Sequence, residues 1–476
     1  IGGLMPLILP GNVASATAST SYDVANSCRF NDADSAYLSK TFGTDGTSMD
    51  IGTFSVWLKR SRPGNEDVIF SGGGSDRDFI RFESDDTLSF RRSSGTTYRV
   101  STNRIFSDAS SWYHFVFAWD TTQGTASNRV KFYVNGVQET SFGTATYPAQ
   151  NQDLEFGANS VCTVGKDASQ PTVFGGYMTE VFYIDGTQYA ASNFGEYDSD
   201  SPSIWKPKDC KDDLTFGTNG FYLDFEDSGD LGDDESGNGN DFAENNLAAT
   251  DQTTDTCTNN FAVWNPLTNR DAGNGTWTEG NLRVLASTGD MSRYCTLPIP
   301  LNFKFYFEVK APIVGAQAGC GLTTIHDPNG ARCKPGENNG YGWKFRGAAS
   351  VVQYFNAGTA SNHATNNPSD DSIMGFAVDC ANGRMHMHID GTYLDSSDPT
   401  DNDPNSVVTG FSTTVIQYLS MSMDTSGTTE PINEFNFGNP VHSISSGNAD
   451  ANGYGNFEFA VPSGYLALCT KNMADF

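Results

Sequence analysis

The sequence predicts an all-β protein with two antiparallel β-sandwich domains of the jelly-roll type. Short segments alternate between apolar and polar residues, as in TFSVWLK (53–59), which is the period of a strand with one buried side. Tight-turn residues follow such segments, as Asn135-Gly136 follows VKFYV (130–134). No stretch of a dozen residues has the i, i+3, i+4, i+7 spacing of an amphipathic helix.

Composition agrees with strands joined by tight turns. The chain has 49 Gly, 33 Phe and 19 Tyr among 476 residues, and aromatic side chains favour strands while Gly favours turns. With 28 Lys and Arg against 57 Asp and Glu, the net charge is −29, which excludes a polyanionic nucleic acid as partner. No run of about 20 apolar residues occurs, so no membrane-spanning helix is predicted.

Strand patterning falls into two blocks, which we predict to be domains over 23–210 and 276–476. Between them, 211–275 is predicted to be an acidic, Gly/Asp-rich connector that contains DFEDSGDLGDDESGNGND (224–241). Residues 1–22 begin with ten apolar residues, and we expect an N-terminal docking arm there. A signal-peptide remnant is the alternative, although a basic n-region is missing.

The nine cysteines have no CxxC spacing, which argues against a zinc ribbon and a thioredoxin motif. Their number is odd and their density is low for a disulfide scaffold. We expect mostly free, buried thiols made in a reducing compartment. A bridge between Cys320 and Cys333 stays open, because sequence does not determine connectivity.

Four segments in order carry a family resemblance in the first domain: FSVWLKRS (54–61), WYHFVFAWD (112–120), VKFYVNGV (130–137) and FGGYMTEVFYIDGTQYAASNF (174–194). They resemble the core strands of the laminin-G-like, concanavalin-A-like jelly roll. The resemblance covers most of 30–195 and implies that fold there.

The second domain resembles a SPRY-type sandwich. Its markers are KFYFEVK (304–310), GCGLTT (319–324), GYGWKF (340–345), SIMGFAVDCANGRMHMHIDGT (372–392) and GYLALCTKNM (464–473). These segments follow one another in the order that is typical of that family.

The whole arrangement resembles tail-fibre and other virion surface proteins of tailed phages, particularly marine ones. That resemblance implies a non-enzymatic structural protein (a tail fibre, spike or capsid decoration) that recognises a host glycan or surface receptor. Its implied partners are other virion subunits or further copies of itself as a homo-oligomer, on a virion surface assembled in the host cytoplasm. The alternatives are a secreted, extracellular pair of carbohydrate-binding modules and a pure assembly scaffold.

Catalytic carboxylates are not predicted. Glucanases of the concanavalin-A-like class carry an E-x-D-x-E pattern, which places three carboxylates on one face of a strand. The nearest match here is Glu180 followed by Asp185, whose spacing of five directs the two side chains to opposite faces. We interpret Glu180 as a structural strand residue and Asp185 as a turn residue.

Histidines offer one metal hypothesis. His386 and His388 alternate on a predicted strand and share a face, and Asp390 lies two residues further along. The preferred interpretation is a pair of half-buried sheet histidines. His114 lies in an aromatic strand and is expected in the core or on the sheet surface.

Calcium is the predicted ion, because hard oxygen ligands are abundant in 224–241. The spacing does not fit an EF-hand, and a solvated acidic loop is the alternative. The candidate ligands are Asp230, Asp233, Asp234, Asn238 and Asp241.

Glycan binding requires exposed aromatic rings that stack on sugars, with polar groups nearby for the hydroxyls. Rim loops of both sandwiches supply candidates, although any single aromatic residue in a sandwich also fits a core role. The candidates are Tyr147, Trp205, Tyr341, Trp343, Tyr354 and Tyr393.

Overall fold

The computed structural model confirms the all-β class and divides the chain into two units, residues 1–260 and 261–476. It describes residues 22–93, 98–268, 274–288, 291–313, 317–323, 340–346, 351–357, 359–363, 368–401, 408–424 and 432–474. The docking arm predicted over 1–22 therefore lies outside the described residues except for Tyr22. Among the described residues, no helix has the length and apolar character needed to cross a membrane.

The first unit contains eighteen strands within its described residues. They are β1 Ser27–Phe30, β2 Tyr37–Thr41, β3 Ile51–Arg60, β4 Asp67–Gly73, β5 Arg77–Phe82, β6 Thr87–Arg92, β7 Arg99–Ile105, β8 Tyr113–Asp120, β9 Val130–Val134, β10 Val137–Glu139, β11 Phe142–Thr146, β12 Val161–Val164, β13 Gly176–Asp185, β14 Gly195–Tyr197, β15 Trp205–Pro207, β16 Phe221–Leu223, β17 Ala243–Asn245 and β18 Gln252–Thr253. Its 3-10 helices are Asp32–Asp34, Ala126–Asn128, Ala191–Asn193, Lys211–Asp213 and Ala249–Asp251.

The second unit contains fifteen strands within its described residues. They are β19 Asn274–Thr278, β20 Arg283–Thr288, β21 Met291–Tyr294, β22 Lys304–Ile313, β23 Gln317–Thr323, β24 Tyr341–Arg346, β25 Val351–Asn356, β26 Thr359–His363, β27 Ile373–Asp379, β28 Arg384–Ile389, β29 Thr392–Tyr393, β30 Val408–Thr409, β31 Tyr418–Asp424, β32 Ile432–Asn436 and β33 Leu466–Ala467. Its helices are α1 Thr470–Met473 and the 3-10 helices Pro266–Thr268, Glu279–Asn281 and Leu394–Ser396.

Two large sheets make up the first sandwich. Sheet A has the order β10-β9-β8-β3-β13-β1-β18, and β16 also pairs with β13. Sheet B has the order β11-β7-β6-β5-β4-β12-β2-β17, and β14 and β15 form a separate ribbon. The apolar side chains of both large sheets form one buried core. This is the architecture expected of two antiparallel sheets packed face to face.

Alternation along β3 shows how the sequence sets the inner and outer sides of a sheet. Phe54, Val56 and Leu58 belong to the core between the sheets. The intervening Trp57 and Lys59 are directed outward by the two-residue period, and yet both are buried. The outer side of sheet A is therefore covered by further parts of the chain.

The segment predicted as a connector, 211–275, is integrated into the fold rather than set apart from it. β16 pairs with β13, β17 pairs with β2, and β18 pairs with β1. The boundary between the two units falls after Asn260, so most of this segment belongs to the first sandwich. The sequence predicted an ordered connector with one or two strands, such as GFYLDF (220–225), and β16 lies within that stretch. It did not predict β17 and β18, because short strands with distant partners leave no local pattern.

A buried ion pair attaches the end of this segment to sheet A. The Lys59 ammonium group contacts the Asp255 carboxylate and lies 2.9 Å from Oδ1 of Asn260. The Asp255 carboxylate also accepts a hydrogen bond from Nε1 of Trp112 at 3.1 Å. The ammonium lies 4.7 Å from the ring centre of Tyr177, which adds a cation–π contact. Each buried charge is thereby compensated.

The second unit is also built from two sheets. One has the order β19-β20-β32-β22-β27-β28-β29, with β30 paired to β28 and β33 paired to β22. The other has the order β21-β31-β23-β24-β25-β26. Tyr306 and Ala377 lie on the outer side of the first of these sheets, where Phe457 and Tyr465 of the C-terminal segment pack against them.

Removing one charge of the Lys59–Asp255 pair is expected to leave the other buried without compensation. We predict that Asp255→Asn lowers the free energy of unfolding of the first unit by about 3–5 kcal/mol, measured by chemical denaturation of the full chain. The matched control is Glu235→Gln in the Lys211–Glu235 pair, whose side chains are 37% and 42% exposed. Loss of that exposed pair should cost at most about 1 kcal/mol. Equal effects of the two substitutions would contradict the account.

Candidate functional site

The outer side of β5, β6 and β7 in sheet B carries a concentration of arginines in a strongly acidic protein. Ile80, Phe82 and Phe90 of these strands lie in the core, so the alternate residues lie on the outer side. We call this surface the arginine face. It consists of Arg77, Phe79, Arg81, Glu83, Ser89, Arg91, Arg99 and Ser101.

One aromatic ring forms the floor of the arginine face. The guanidinium carbons of Arg77, Arg81 and Arg91 lie 5.8, 5.3 and 5.5 Å from the ring centre of Phe79. Such contacts are cation–π interactions, and they hold planar guanidinium groups in a fixed position. Phe79 is only 3% exposed, because the three arginines cover it.

One carboxylate is shared among three of the arginines. Arg81 donates to Oε2 of Glu83 at 2.5 Å, whereas Arg91 and Arg99 each lie 3.3 Å from Oε1. Oε1 also accepts the Ser89 hydroxyl at 2.6 Å. The contacts of Arg91 and Arg99 with this crowded oxygen are therefore long, and they leave much of the donor capacity of both guanidiniums unused.

The pKa shifts agree with a Glu83 carboxylate that is shared among several arginines. Burial raises the pKa of Glu83, but hydrogen bonds from Arg81 and Ser89 and the positive charges of Arg81 and Arg99 outweigh burial, so the pKa lies below its usual range. Burial lowers the pKa of Arg91. The Nε atoms of Arg81 and Arg91 are buried and have no hydrogen-bond partner in the structure. Such donors are costly unless a ligand satisfies them.

The arginine face is accessible on one side and closed on the other. A loop over 165–173 covers the neighbouring strands: the backbone of Ala168 donates to Oγ of Ser71, and Asp167 pairs with Arg77. Towards β11, the side chain of Arg99 is 35% exposed, and Thr146 lies opposite it in the sheet. The accessible part therefore extends from Arg99 on β7 to Thr146 on β11.

The structure removes Trp205 and Trp343 from the predicted sugar-stacking residues, because both are buried, at 4% and 1% exposure. Trp205 lies on the outer side of sheet A and donates from Nε1 to Nδ1 of His114 at 2.9 Å. It packs so closely on the turn that a Cβ at Gly136 would lie 2.4 Å from its ring. An aromatic ring closed on both sides has no face to offer a sugar.

The other four predicted aromatics are half-buried, and the register places Tyr341 and Tyr354 on the same face of one sheet. Tyr147 packs against the core of the first sandwich. In the second unit, Trp343 lies opposite Tyr354 in the sheet, and Tyr341 packs edge-on against Phe411. Tyr393 lies on a different sheet, 5.1 Å from the ring of His388.

In the acidic loop, one predicted calcium ligand is already engaged by the chain itself. The buried Asp234 carboxylate accepts hydrogen bonds from the backbone of Tyr222, Ser236 and Asn240 and from the hydroxyl of Ser236, at 2.8–2.9 Å. Its role in the structure is to close the loop on β16. Four N–H and O–H donors around one carboxylate occupy the lone pairs that a cation would need.

The remaining calcium candidates, Asp230, Asp233, Asn238 and Asp241, are exposed. The Asn238 amide donates to the backbone oxygens of Gly217 and Gly220. Within the described part of the chain, no group of three or more His, Cys, Asp or Glu side chains has the geometry of a metal site. Calcium binding by this loop stays a prediction.

Glu180 lies at a bulge in β13, where the register with β3 shifts and its own φ is +50°. Its carboxyl accepts hydrogen bonds from the hydroxyls of Tyr222 at 2.8 Å and Tyr22 at 3.2 Å. Burial raises its pKa to about 8, and the nearby negative charges of Asp224 and Glu226 add to the effect. The carboxyl fastens the first described residue to the sheet.

Asp185 organises loops. Its two carboxylate oxygens accept hydrogen bonds from the backbone of Thr47 at 2.6 Å, Ser48 at 3.0 Å and Asn219 at 3.0 Å. Glu180 and Asp185 are thus engaged with separate parts of the chain, and they do not form the carboxylate pair of a glycosidase site.

The sheet histidines are buried to 2% exposure, deeper than the half-buried pair that the sequence indicated. Nδ1 of His388 accepts the backbone N–H of Gly391, so for a neutral ring the proton lies on Nε2, which donates to the Tyr306 hydroxyl at 2.7 Å. That hydroxyl donates to Glu308 at 3.0 Å. Burial lowers the pKa of His388 to about 4, which keeps the ring neutral. Asp390 accepts the backbone N–H of Ile373.

His114 is likewise a satisfied core histidine. Its ring is stacked on Trp57, with centres 4.8 Å apart, and its Nε2 lies 2.8 Å from Oγ of Ser55. Because Nδ1 accepts from Trp205, Nε2 carries the proton of the neutral ring. Burial lowers the pKa of His114 to about 3. Ser55 and His114 are therefore a closed structural pair.

Comparison with known proteins supports the fold of the first sandwich. Residues 32–187 match the family described as the concanavalin A-like lectin/glucanases superfamily, which is about a third of the chain. This match confirms the jelly-roll resemblance of that segment. No curated protein matches the sequence.

Several solved structures are similar to parts of the chain or to most of it. A carbohydrate-binding module from Bacillus subtilis is 13% identical, with 34% of this chain and 88% of that chain covered and a TM-score of 0.23. Domains LG4-5 of the mouse laminin alpha1 chain are 10% identical, covering 95% and 91%, with a TM-score of 0.29. The SPRY domain of human HERC1 is 9% identical, covering 36% and 96%, with a TM-score of 0.24.

The arginine face was missed in the sequence because its members look like ordinary strand surface. The signal was nevertheless present: RDFIRF (77–82) places Arg77 and Arg81 on one side of a strand, and TLSFRR (87–92) ends in two arginines, in a chain that has only 28 Lys and Arg. Their register became informative only when Phe79 was found opposite Arg91, and Arg91 opposite Arg99.

Glu180 generates a prediction about pH. A carboxyl whose pKa is raised on folding from 4.5 to about 8 stabilises the folded state fully below pH 4.5, and this contribution is lost as pH rises through 8. Glu180→Gln keeps the hydrogen-bond acceptor and cannot ionise. The native chain should therefore lose stability relative to this variant between pH 5 and pH 9, measured as the difference in Tm.

The control for that experiment is Glu196→Gln, since the Glu196 side chain is 55% exposed. If the difference in Tm between the native chain and Glu180→Gln stays constant from pH 5 to pH 9, the assignment of a neutral buried carboxyl at Glu180 is wrong.

Proposed function

We propose that this chain is a non-enzymatic glycan-binding protein and that it binds through the arginine face of its first sandwich. The observation that carries the proposal is the contrast between sheet faces. The outer side of sheet A is closed by Trp205 and by the segment that holds Asp255. The outer side of sheet B carries fixed guanidiniums over β6 and β7, with an accessible edge at Arg99.

The chemistry of this surface suits a sugar. Ser89 and Ser101 lie on the same face as Arg81, because these three residues are opposite one another in successive strands. Nε of Arg99 donates to Oγ of Ser101 at 2.9 Å, so the guanidinium is held in place while its outer edge remains exposed. The Ser89 and Ser101 hydroxyls are buried, at 0% and 5% exposure, and hold Glu83 and Arg99 in place. The guanidiniums on these rigid strands are the donors that can orient a sugar's hydroxyls. The concanavalin A-like family match is consistent with this use.

A bulky side chain beside Arg99, at the accessible edge of the arginine face, tests the proposal. Thr146 is exposed and lies opposite Arg99, so its side chain is on the arginine face, whereas the adjacent Ala145 is exposed and lies opposite the core residue Val100. Thr146→Trp should weaken binding of a polysaccharide to the full chain by about tenfold or more, and Ala145→Trp should change it by less than about twofold.

The measurement is affinity electrophoresis of the full chain in gels that contain dextran, polygalacturonate or dextran sulfate. The absence of retardation in all three gels would overturn the proposal. Equal retardation of Thr146→Trp and Ala145→Trp would also overturn it, because the polysaccharide would then bind elsewhere.

We further propose that the protein works on a virion surface, as a fibre, spike or decoration assembled in the host cytoplasm. This extends the sequence resemblance, and one structural observation favours it over a secreted pair of modules. Six buried cysteines of the described residues form no disulfide with one another: Cys28, Cys162, Cys210, Cys257, Cys320 and Cys380. Cys333 lies outside the described residues, so a Cys320–Cys333 bridge is untested. Other virion subunits or further copies of this chain remain the predicted partners.

A count of free thiols distinguishes a virion protein assembled in the host cytoplasm from a secreted pair of modules. Burial raises the pKa of Cys162 and Cys320, which keeps both thiols protonated and slow to oxidise. The purified chain, unfolded in denaturant without reductant, should release nine equivalents in a dithionitrobenzoate assay, one for each cysteine in the sequence. Seven equivalents or fewer would show oxidised pairs and would favour the secreted alternative.

A further inference from the structure

We infer that the arginine face selects an anionic glycan, one that carries carboxylate or sulfate groups, over a neutral one. This inference rests on the glycan-binding function proposed above. Its basis is a pair of guanidinium groups, those of Arg91 and Arg99, which share one crowded oxygen of Glu83 and keep unused donors.

The contacts of Glu83 indicate where the negatively charged group of a ligand would bind. Its Oε2 is used by Arg81 at 2.5 Å, and its Oε1 is used by Ser89 at 2.6 Å. Arg91 and Arg99 reach only Oε1, at 3.3 Å each. An anion between these two guanidiniums would receive their remaining donors, and charge-assisted hydrogen bonds of this kind are about twice as strong as neutral ones.

The surroundings favour a planar or tetrahedral oxyanion rather than a sugar hydroxyl. A neutral hydroxyl supplies only one oxygen, whereas a carboxylate or sulfate supplies several acceptors to the two-pronged guanidinium. The ring of Phe79 holds Arg91 in place from beneath.

Loss of one guanidinium should therefore discriminate between ligand classes. Arg91→Gln and Arg99→Gln should each weaken binding of an anionic polysaccharide by about tenfold to a hundredfold, the usual effect of losing hydrogen bonds to a charged group. Arg91→Lys keeps the positive charge but loses the planar guanidinium, which can donate two hydrogen bonds to one oxyanion. The affinity of this variant for the anionic polysaccharide should lie between those of the native chain and Arg91→Gln. The control is Lys131→Gln on β9 of sheet A, which removes one positive charge from the other sheet.

The experiment is isothermal titration of the full chain with oligosaccharides of galacturonate (carboxylated), sulfated dextran (sulfated) and dextran (neutral). Thermal melting of each variant confirms that it folds, and Arg99→Gln provides a second, more exposed substitution. We expect binding of a charged oligosaccharide, little binding of dextran, and loss with Arg91→Gln and Arg99→Gln but not with Lys131→Gln. Whether the carboxylated or the sulfated ligand binds more tightly identifies the source of the anion.

Three results would overturn the inference. Equal binding of dextran and the charged ligands, weakened by Thr146→Trp, would leave glycan binding intact and contradict only the anionic selectivity. Equal weakening by Arg91→Gln and Lys131→Gln would show a non-specific charge effect. Binding of none of the three ligands would contradict both the inference and the proposed function.

Discussion

The contact between Lys59 and Asp255 is the constraint on which the organisation of the first sandwich depends. A strand in a sandwich has an outer side, and β3 places a lysine there beneath a covering segment. A buried ammonium group is tolerated only with a paired carboxylate and further hydrogen bonds, which Asp255 and Asn260 supply. The pair therefore fixes where the acidic segment after β16 must lie.

Because the outer side of sheet A is closed, the proposed recognition is assigned to the outer side of sheet B. Its arginines are held by the Phe79 ring and by Glu83, so they are pre-organised before any ligand arrives. Pre-organisation lowers the entropic cost of binding. Buried polar groups elsewhere, such as His114 and His388, are fully engaged within the chain and serve packing rather than recognition.

The sequence allowed the all-β class, the jelly-roll segment and the Asn135-Gly136 turn to be predicted, because each depends on local patterns of two to ten residues. It did not allow the burial of Trp205 to be predicted, because the ring is buried only when β14 and β15 fold over the turn at Gly136. The arginine face was hidden for a related reason. Its residues lie on three successive strands within 77–101, but only the register of β5, β6 and β7 shows that they meet around Glu83.

The most direct test of the central claim is hydrogen–deuterium exchange of the full chain with and without a bound polysaccharide. The account predicts slower backbone exchange over β6, β7 and β11, with no change at the acidic loop 224–241 or in the second unit. Protection confined to the second unit or to that loop would contradict the assignment of the arginine face as the binding surface. Backbone exchange is the appropriate readout because ligand contacts on rigid strands suppress local opening.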